Sequence, residues 1–261
     1  MNKRKVLNSL ISIGSYREFV AEIFNLVERK TSSYVCFANV HMVIEAYKDK
    51  SFQEIINSAA IVAPDGKPIS LFLQYLYALK QDRVCGMDVF PTLLQEAEAR
   101  GKSVYLYGDT AELLELIVQK ANKEFPGLKI CGYYSPPFRD LSDEETHCII
   151  ENINTALPDL VFIALGCPKQ EKWMAKNVNK LESCLLGVGQ AFKVYAGVEK
   201  RLPVWMRNLS LEWMYRLYLE PRRLGKRYLI TNSYFLWLAS AYAFRRIRHK
   251  FFPSFSNAKL S

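Results

Sequence analysis

Short apolar runs rich in β-branched and aromatic residues recur along this chain, and between them lie longer stretches whose apolar positions fall three or four residues apart. The runs at 34–38, 61–63, 103–107, 129–133, 160–165 and 184–188 predict strands, and the stretches at 40–47, 69–79, 89–100, 110–125, 143–156 and 169–178 predict amphipathic helices. Ser15-Tyr-Arg-Glu18 is a capping box for a helix running through Val27, and Ser142-Asp-Glu-Glu145 is a second one. Gly101 and Pro126-Gly127 mark helix ends. Ahead of the first capping box, residues 6–13 predict an opening strand. Successive main runs begin at least 24 residues apart, which leaves room for helical crossovers and so implies parallel pairing. The predicted fold is α/β, a parallel sheet flanked by helices on both faces.

Composition fits a folded body. Half of the 261 residues are hydrophobic, with 15 Tyr, 15 Phe and 4 Trp, which excludes a disordered chain. Six cysteines are scattered singly, mostly in apolar runs, with no C-x-x-C pair and only three histidines; they read as buried free thiols in a reducing compartment rather than metal ligands or disulfides. Met1-Asn-Lys-Arg-Lys imitates the start of a signal peptide, but Asn8, Ser9 and Ser12 interrupt the apolar stretch after it and no small-residue cleavage site appears.

Charge changes the picture at the C-terminus. Residues 201–261 hold 12 Lys and Arg against 2 Asp and Glu, whereas residues 1–200 hold 23 against 24. The chain therefore divides into a neutral α/β body, 1–200, and a basic, amphipathic helical appendage, 201–261. The appendage interleaves cations with aromatic and aliphatic side chains, so it folds against something or lies on an anionic surface. Its most apolar part, 228–244, is short for a span and broken by Thr231, Asn232, Ser233 and Ser240; it predicts an interfacial helix rather than a spanning one.

In parallel sheets, ligands collect where strands end, so the residues just after each run carry the candidate chemistry. Asn39 follows the first run, Pro64-Asp65-Gly66 the second, Gly108-Asp109-Thr110 the third, Gly166-Cys-Pro-Lys-Gln-Glu171 the fifth and Gly187-Val-Gly189 the sixth. Asp65, at the end of an apolar stretch, reads on spacing alone as the cap of a helix near Pro68, with a general base as the alternative. Lys169 and Gln170, in a first helical turn, are placed to donate to a phosphate or sugar oxygen, or else are solvated turn residues. Gly187 and Gly189 allow close backbone approach but lack the spacing of a dinucleotide fingerprint or P-loop. That counts against an NAD or ATP-hydrolysing enzyme. Arg216, Arg222, Arg223, Lys226 and Arg227 form the densest cationic group, suited to two phosphates or to acidic lipid. No D-x-D pair or His/carboxylate cluster stands out, so no metal site and no cofactor are predicted.

Taken together, Ala38-Asn39, Pro64-Asp65-Gly66, Arg83-Val-Cys-Gly-Met-Asp88, Gly166-Cys-Pro-Lys-Gln-Glu171, Gly187-Val-Gly189, Ala196-Gly197, Arg201-Leu-Pro203, Glu212-Trp-Met-Tyr-Arg216 and Glu220-Pro-Arg-Arg223 resemble the WecG/TagA/CpsF family of bacterial glycosyltransferases, in order and spacing, from about residue 5 to about residue 236. The resemblance implies a Rossmann-like body and an inverting, metal-independent transfer from a UDP-sugar to a sugar on a polyprenyl diphosphate, in surface-polysaccharide or cell-wall polymer biosynthesis. It implies a peripheral enzyme at the cytoplasmic face of the bacterial inner (cell) membrane, whose C-terminal appendage contacts the membrane and completes the active site. Carried onto this chain, Asp65 becomes the catalytic base. Asn39 and Gln170 line the sugar pocket, and Arg216 and Arg223, with Lys226 or Arg227, hold the donor diphosphate. Lys169, Gly187, Gly189 and Arg83 complete the expected substrate-binding set.

Two positions depart from the family pattern. Phe37 replaces a small hydroxyl residue, and Lys193 replaces an acid, which points to a donor carrying a carboxylate, such as a uronic acid. The competing reading from another class is a non-enzymatic nucleic-acid-binding protein that uses the basic tail. Helical spacing of the tail's aromatics weighs against it, and no nucleic-acid partner is expected. A homo-oligomer is compatible with the sequence.

Overall fold

A computed structural model describes residues 1–203, 206, 212–219 and 221–251. The chain opens with a hairpin, β1 (Lys3–Val6) and β2 (Ser9–Ser12), paired antiparallel. The single strand expected over 6–13 is thus corrected: the chain reverses at Leu7, whose φ of 54° lies in the left-handed region, a turn that no Gly or Asn-Gly pair announces. Helix α1 (Tyr16–Glu28) begins on the expected capping box, with Ser15 and Glu18 bonding each other's backbone N–H. Then come β3 (Ser33–Ala38), α2 (Val40–Lys48), α3 (Lys50–Ser58) and β4 (Ile61–Pro64). Helix α3 is absent from the predicted set; Phe52 and Ile56 are buried, Ile55 packs against the same cluster, and Asp49 caps the helix.

Helices α4 (Lys67–Tyr77) and α5 (Gly86–Ala99) cross to β5 (Ser103–Gly108), followed by α6 (Ala111–Glu124) and β6 (Lys129–Tyr134). The body continues through α7 (Asp143–Ala156), β7 (Leu160–Ala164), α8 (Lys169–Asn177), β8 (Cys184–Gly187) and the short α9 (Ala191–Ala196). Helices α10 (Glu212–Leu219) and α11 (Pro221–Phe251) follow in the C-terminal part of the chain.

Strands β3 to β8 form one parallel sheet in the order β4-β3-β8-β7-β5-β6. Alternate side chains serve opposite faces, as the pleat requires. Val35, Phe37, Leu106, Phe162 and Leu186 pack with α1, α5, α6 and α9. Tyr34, Cys36, Tyr107, Ile163 and Leu185 pack on the other side with the hairpin, α2, α3, α4, α7 and α8. Phe37, the first family departure, is therefore a core residue, only 4% exposed. No disulfide joins the six cysteines, and Cys36, Cys85 and Cys184 are buried as expected; Cys148 departs from that expectation because it lies on the outer, exposed face of α7.

The appendage is fastened to the second face of the body. Phe235 and Leu238 of α11 are 4% and 8% exposed. Phe235 meets Phe72 of α4 with ring centroids 5.7 Å apart, and Tyr234 meets Tyr47 of α2 edge-on at 5.9 Å. At the junction, Asp88 of α5 takes both Arg83, at 2.7 Å, and Arg201.

Candidate active site at the carboxyl ends of the strands

The sheet order places the ends of β4, β3, β8 and β7 side by side. Ala38 stands opposite Pro64, and Gly187 stands between Cys36 and Ile163. Neighbouring parallel strands lie roughly 4.8 Å apart, so Asp65, Asn39, the 187–189 turn and the start of α8 share one edge. The direction in which successive strands are added reverses across this edge: from β4 the chain crosses to β5 on the far side and returns through β7 to β8. This is the topological switch point, where such sheets bind ligands.

Asp65 continues the ladder, its N–H donating to Ala38 O at 3.0 Å, and Val84 N–H donates to Pro64 O at the same distance. The cap of α4 is Gly66, at φ 95°, and no side chain caps that helix. The capping reading of Asp65 is therefore corrected, and its half-buried carboxyl stands one residue ahead of the helix, at the strand end. Asn39 caps α2 instead, its Oδ1 accepting from Met42 N–H at 3.1 Å. That fixes the side chain at the edge beside Asp65.

Gln170 lies across the 187–189 turn. Its Nε2 donates to Gly187 O at 3.0 Å and to Glu171 Oε1 at 2.7 Å, and its Oε1 is buried with no partner among the described residues. The expected donor is thus engaged internally, and the oxygen remains. Gly187 makes the approach feasible, because a Cβ there would stand 2.8 Å from the Met174 methyl and 3.0 Å from Gln170 Nε2. The close approach predicted for this glycine is made by a protein side chain. Glu171 carries no role in the motif as read from sequence; it is fully buried, and burial pushes its carboxyl up to about 7 against the opposing bond from Gln170.

Lys169 is exposed at the head of α8. Arg83 sits at the same end of the sheet as Asp65, fastened by Val84, and is ion-paired to Asp88. At the end of β5, Gly108 has φ 113° and a Cβ there would come within 2.4 Å of Ala164 O, so only glycine fits. Lys193 lies half-buried in α9, and Gln190 at the head of that helix bonds Glu199. On the opposite face, beside α8, Tyr107 OH and Trp173 Nε1 are buried without partners among the described residues in one aromatic cluster, rings 4.7 Å apart; no sequence signal marks them. The backbones of α10 and α11 are described, but the side chains of Arg216, Arg223, Lys226 and Arg227 lie outside the described residues.

The sequence profile of the Glycosyl transferase WecG/TagA/CpsF family matches residues 4–249. The chain belongs to that family. It is 34% identical over 212 residues, 80% of each chain, to the N-acetylglucosaminyldiphosphoundecaprenol N-acetyl-beta-D-mannosaminyltransferase of Bacillus subtilis (strain 168). Proteins of the same name from Bacillus spizizenii and Staphylococcus aureus (strain NCTC 8325 / PS 47) are each 29% identical, over 84% and 74% of both chains respectively. This WecG/TagA/CpsF protein is a glycosyltransferase, and the expected family and parallel α/β fold are both borne out.

Proposed function

We propose that this glycosyltransferase moves N-acetylmannosamine from its UDP derivative to the N-acetylglucosamine of a polyprenyl-diphosphate-linked acceptor, with inversion and without a metal, in cell-wall polymer synthesis. The observation that carries this reading is the convergence of Asp65, Asn39 and Gln170 on one edge of the sheet; the relatives' names supply the sugar and the acceptor.

In this reading Asp65 removes the proton from the acceptor hydroxyl as its oxygen attacks the anomeric carbon from the side opposite the leaving group. The bond from that carbon to the β-phosphate oxygen breaks, and UDP departs with the electron pair. One carboxylate suffices for this, whereas a glycoside hydrolase ordinarily needs two. Arg216 and Arg223, with Lys226 or Arg227, neutralise the departing diphosphate in place of a metal. Asn39, Gln170, Lys169, Gly187, Gly189 and Arg83 bind the substrate or hold its pocket. Residues 1–200 are the catalytic body, and 201–261 complete the site and rest on the cytoplasmic face of the cell membrane. Among the described residues no helix is long and apolar enough to cross a membrane, and Trp237 and Phe244 stand exposed on α11, which suits surface contact.

The packing of Tyr234 and Phe235 against the body weighs further against the nucleic-acid reading, because it withholds these rings from stacking on bases. The deciding experiment incubates the full chain with UDP-N-acetylmannosamine and an N-acetylglucosaminyl-diphospho-lipid, with and without EDTA, and weighs the product. A disaccharide-lipid formed in EDTA by the parent, and lost by at least about a hundredfold in Asp65→Asn, supports the assignment. Transfer only from UDP-sugars bearing a carboxylate would instead support the Lys193 reading, and an active Asp65→Asn would remove the base.

A further inference from the structure

Gln170 has two amide hydrogens, and both have protein acceptors: Gly187 O at 3.0 Å and Glu171 Oε1 at 2.7 Å. A carbonyl oxygen only accepts, so the amide nitrogen must face Gly187 and the oxygen must face the other way. That oxygen lies on the Gly189 side, 3.4 Å from where a Cβ of Gly189 would stand. It is buried and without a partner among the described residues, on a residue only 5% exposed. Buried acceptors are ordinarily satisfied, and this one borders the edge that holds Asp65 and Asn39.

We propose that Glu171 is a positioning residue: its carboxylate locks the Gln170 amide so that this position offers the transferred sugar an acceptor alone and reads a hydrogen-bond donor on it, a hydroxyl or an acetamido N–H. The proposal rests on Gln170 lining the sugar pocket. Among the described residues no cation bears on Glu171. Cys167 lies beside it, and Cys36 faces it from β3. Lys172, the next residue of α8, turns outward to Asp49 at the head of α3, 3.9 Å away. A carboxylate buried among thiols and an amide weakens the fold, so a purely structural role would be served at least as well by a neutral side chain. Ionisation strengthens the bond to the amide N–H, and the burial that lifts its pKa to about 7 makes that bond weaken as pH falls through neutrality.

The test compares Gln170→Ala, Glu171→Gln, Glu171→Leu and the double variant Gln170→Ala/Glu171→Leu as full chains, measuring KM and kcat for UDP-N-acetylmannosamine across neutral pH. Glu171→Leu is expected to raise the donor KM about tenfold with a smaller change in kcat, and to add nothing in the Gln170→Ala background. Glu171→Gln keeps an acceptor oxygen for the Gln170 N–H, so it should hold the parental high-pH KM and lose the rise in KM toward acid pH. A folded Glu171→Leu enzyme with parental KM overturns the proposal, and so do additive effects in the double variant. Should Glu171→Leu not fold, a Glu171→Gln enzyme that keeps the parental pH dependence is equally decisive against it. If Gln170→Ala leaves KM unchanged, the sugar-pocket assignment fails first and the proposal falls with it.

Discussion

At Glu171, the burial that raises the carboxyl from 4.5 to about 7 also governs how stability varies with pH. Between those values the folded chain holds a proton that the unfolded chain has released, so stability falls as pH rises. Below pH 4.5 the penalty is absent, and above about 7 it is complete, on the order of 3 kcal/mol. Glu171→Gln should therefore match the parent in urea melts near pH 4 and exceed it at pH 8; equal stability at both would show that the carboxylate is not desolvated as described. Asp65 illustrates a different limit. Its residue type and place at a strand end are legible in sequence, but cap and base separate only because Gly66 takes the cap. Gln170 is legible as a polar residue of a helix head, yet its polarity is inverted by Gly187 O, 17 residues away.

Among the elements, α11 carries two kinds of apolar residue that look alike in sequence. Leu238 is 8% exposed, whereas Trp237 beside it is 64% exposed. Leu238→Ala should cost about 2–5 kcal/mol in denaturant unfolding. Trp237→Ala should change stability by about 0.5 kcal/mol or less, while weakening adsorption to vesicles containing anionic lipid. Equal effects of the two on stability would contradict the docking of the helix. Pattern alone presents 228–244 as an interfacial helix; its aromatics in fact divide between the body and solvent, because α2 and α4 expose Tyr47 and Phe72 to it. Helix α3 is absent from the predicted set although Phe52, Ile55 and Ile56 fall at helical spacing, because one apolar cluster in nine otherwise polar or small residues is too short a window to establish a period.

For the whole molecule, docking of α11 means that deleting residues from 201 onward would strip cover from Phe72 and Tyr47 as well as remove cations. Truncation should lower stability together with activity, so it cannot isolate the site. Single replacements can: Arg216→Ala and Arg223→Ala should each lower kcat/KM about a hundredfold with an unchanged melting temperature and no dependence on added Mg²⁺. Parental turnover in both would separate the appendage from the leaving group. Asp88, which joins Arg83 of the body to Arg201 of the tail, connects the two parts at the sheet edge. The bond to Arg201 could not be read from sequence, since it spans more than a hundred residues.

By itself the sequence determined what short-range physics writes into neighbouring residues: the six parallel strands, most of the helices, the capping boxes at Ser15 and Ser142, and the excess of positive charge in the tail. The strands and helices depend on local period, the capping boxes on side chains reaching their own backbone, and the charge on composition alone. Tertiary structure alone decided the strand order that sets Asp65 beside Asn39, the hairpin turn at Leu7, the seat of α11 on α2 and α4, and the internal bonds of Gln170 that leave only its oxygen. Most of these are contacts between residues distant along the chain, whose partners no local pattern specifies.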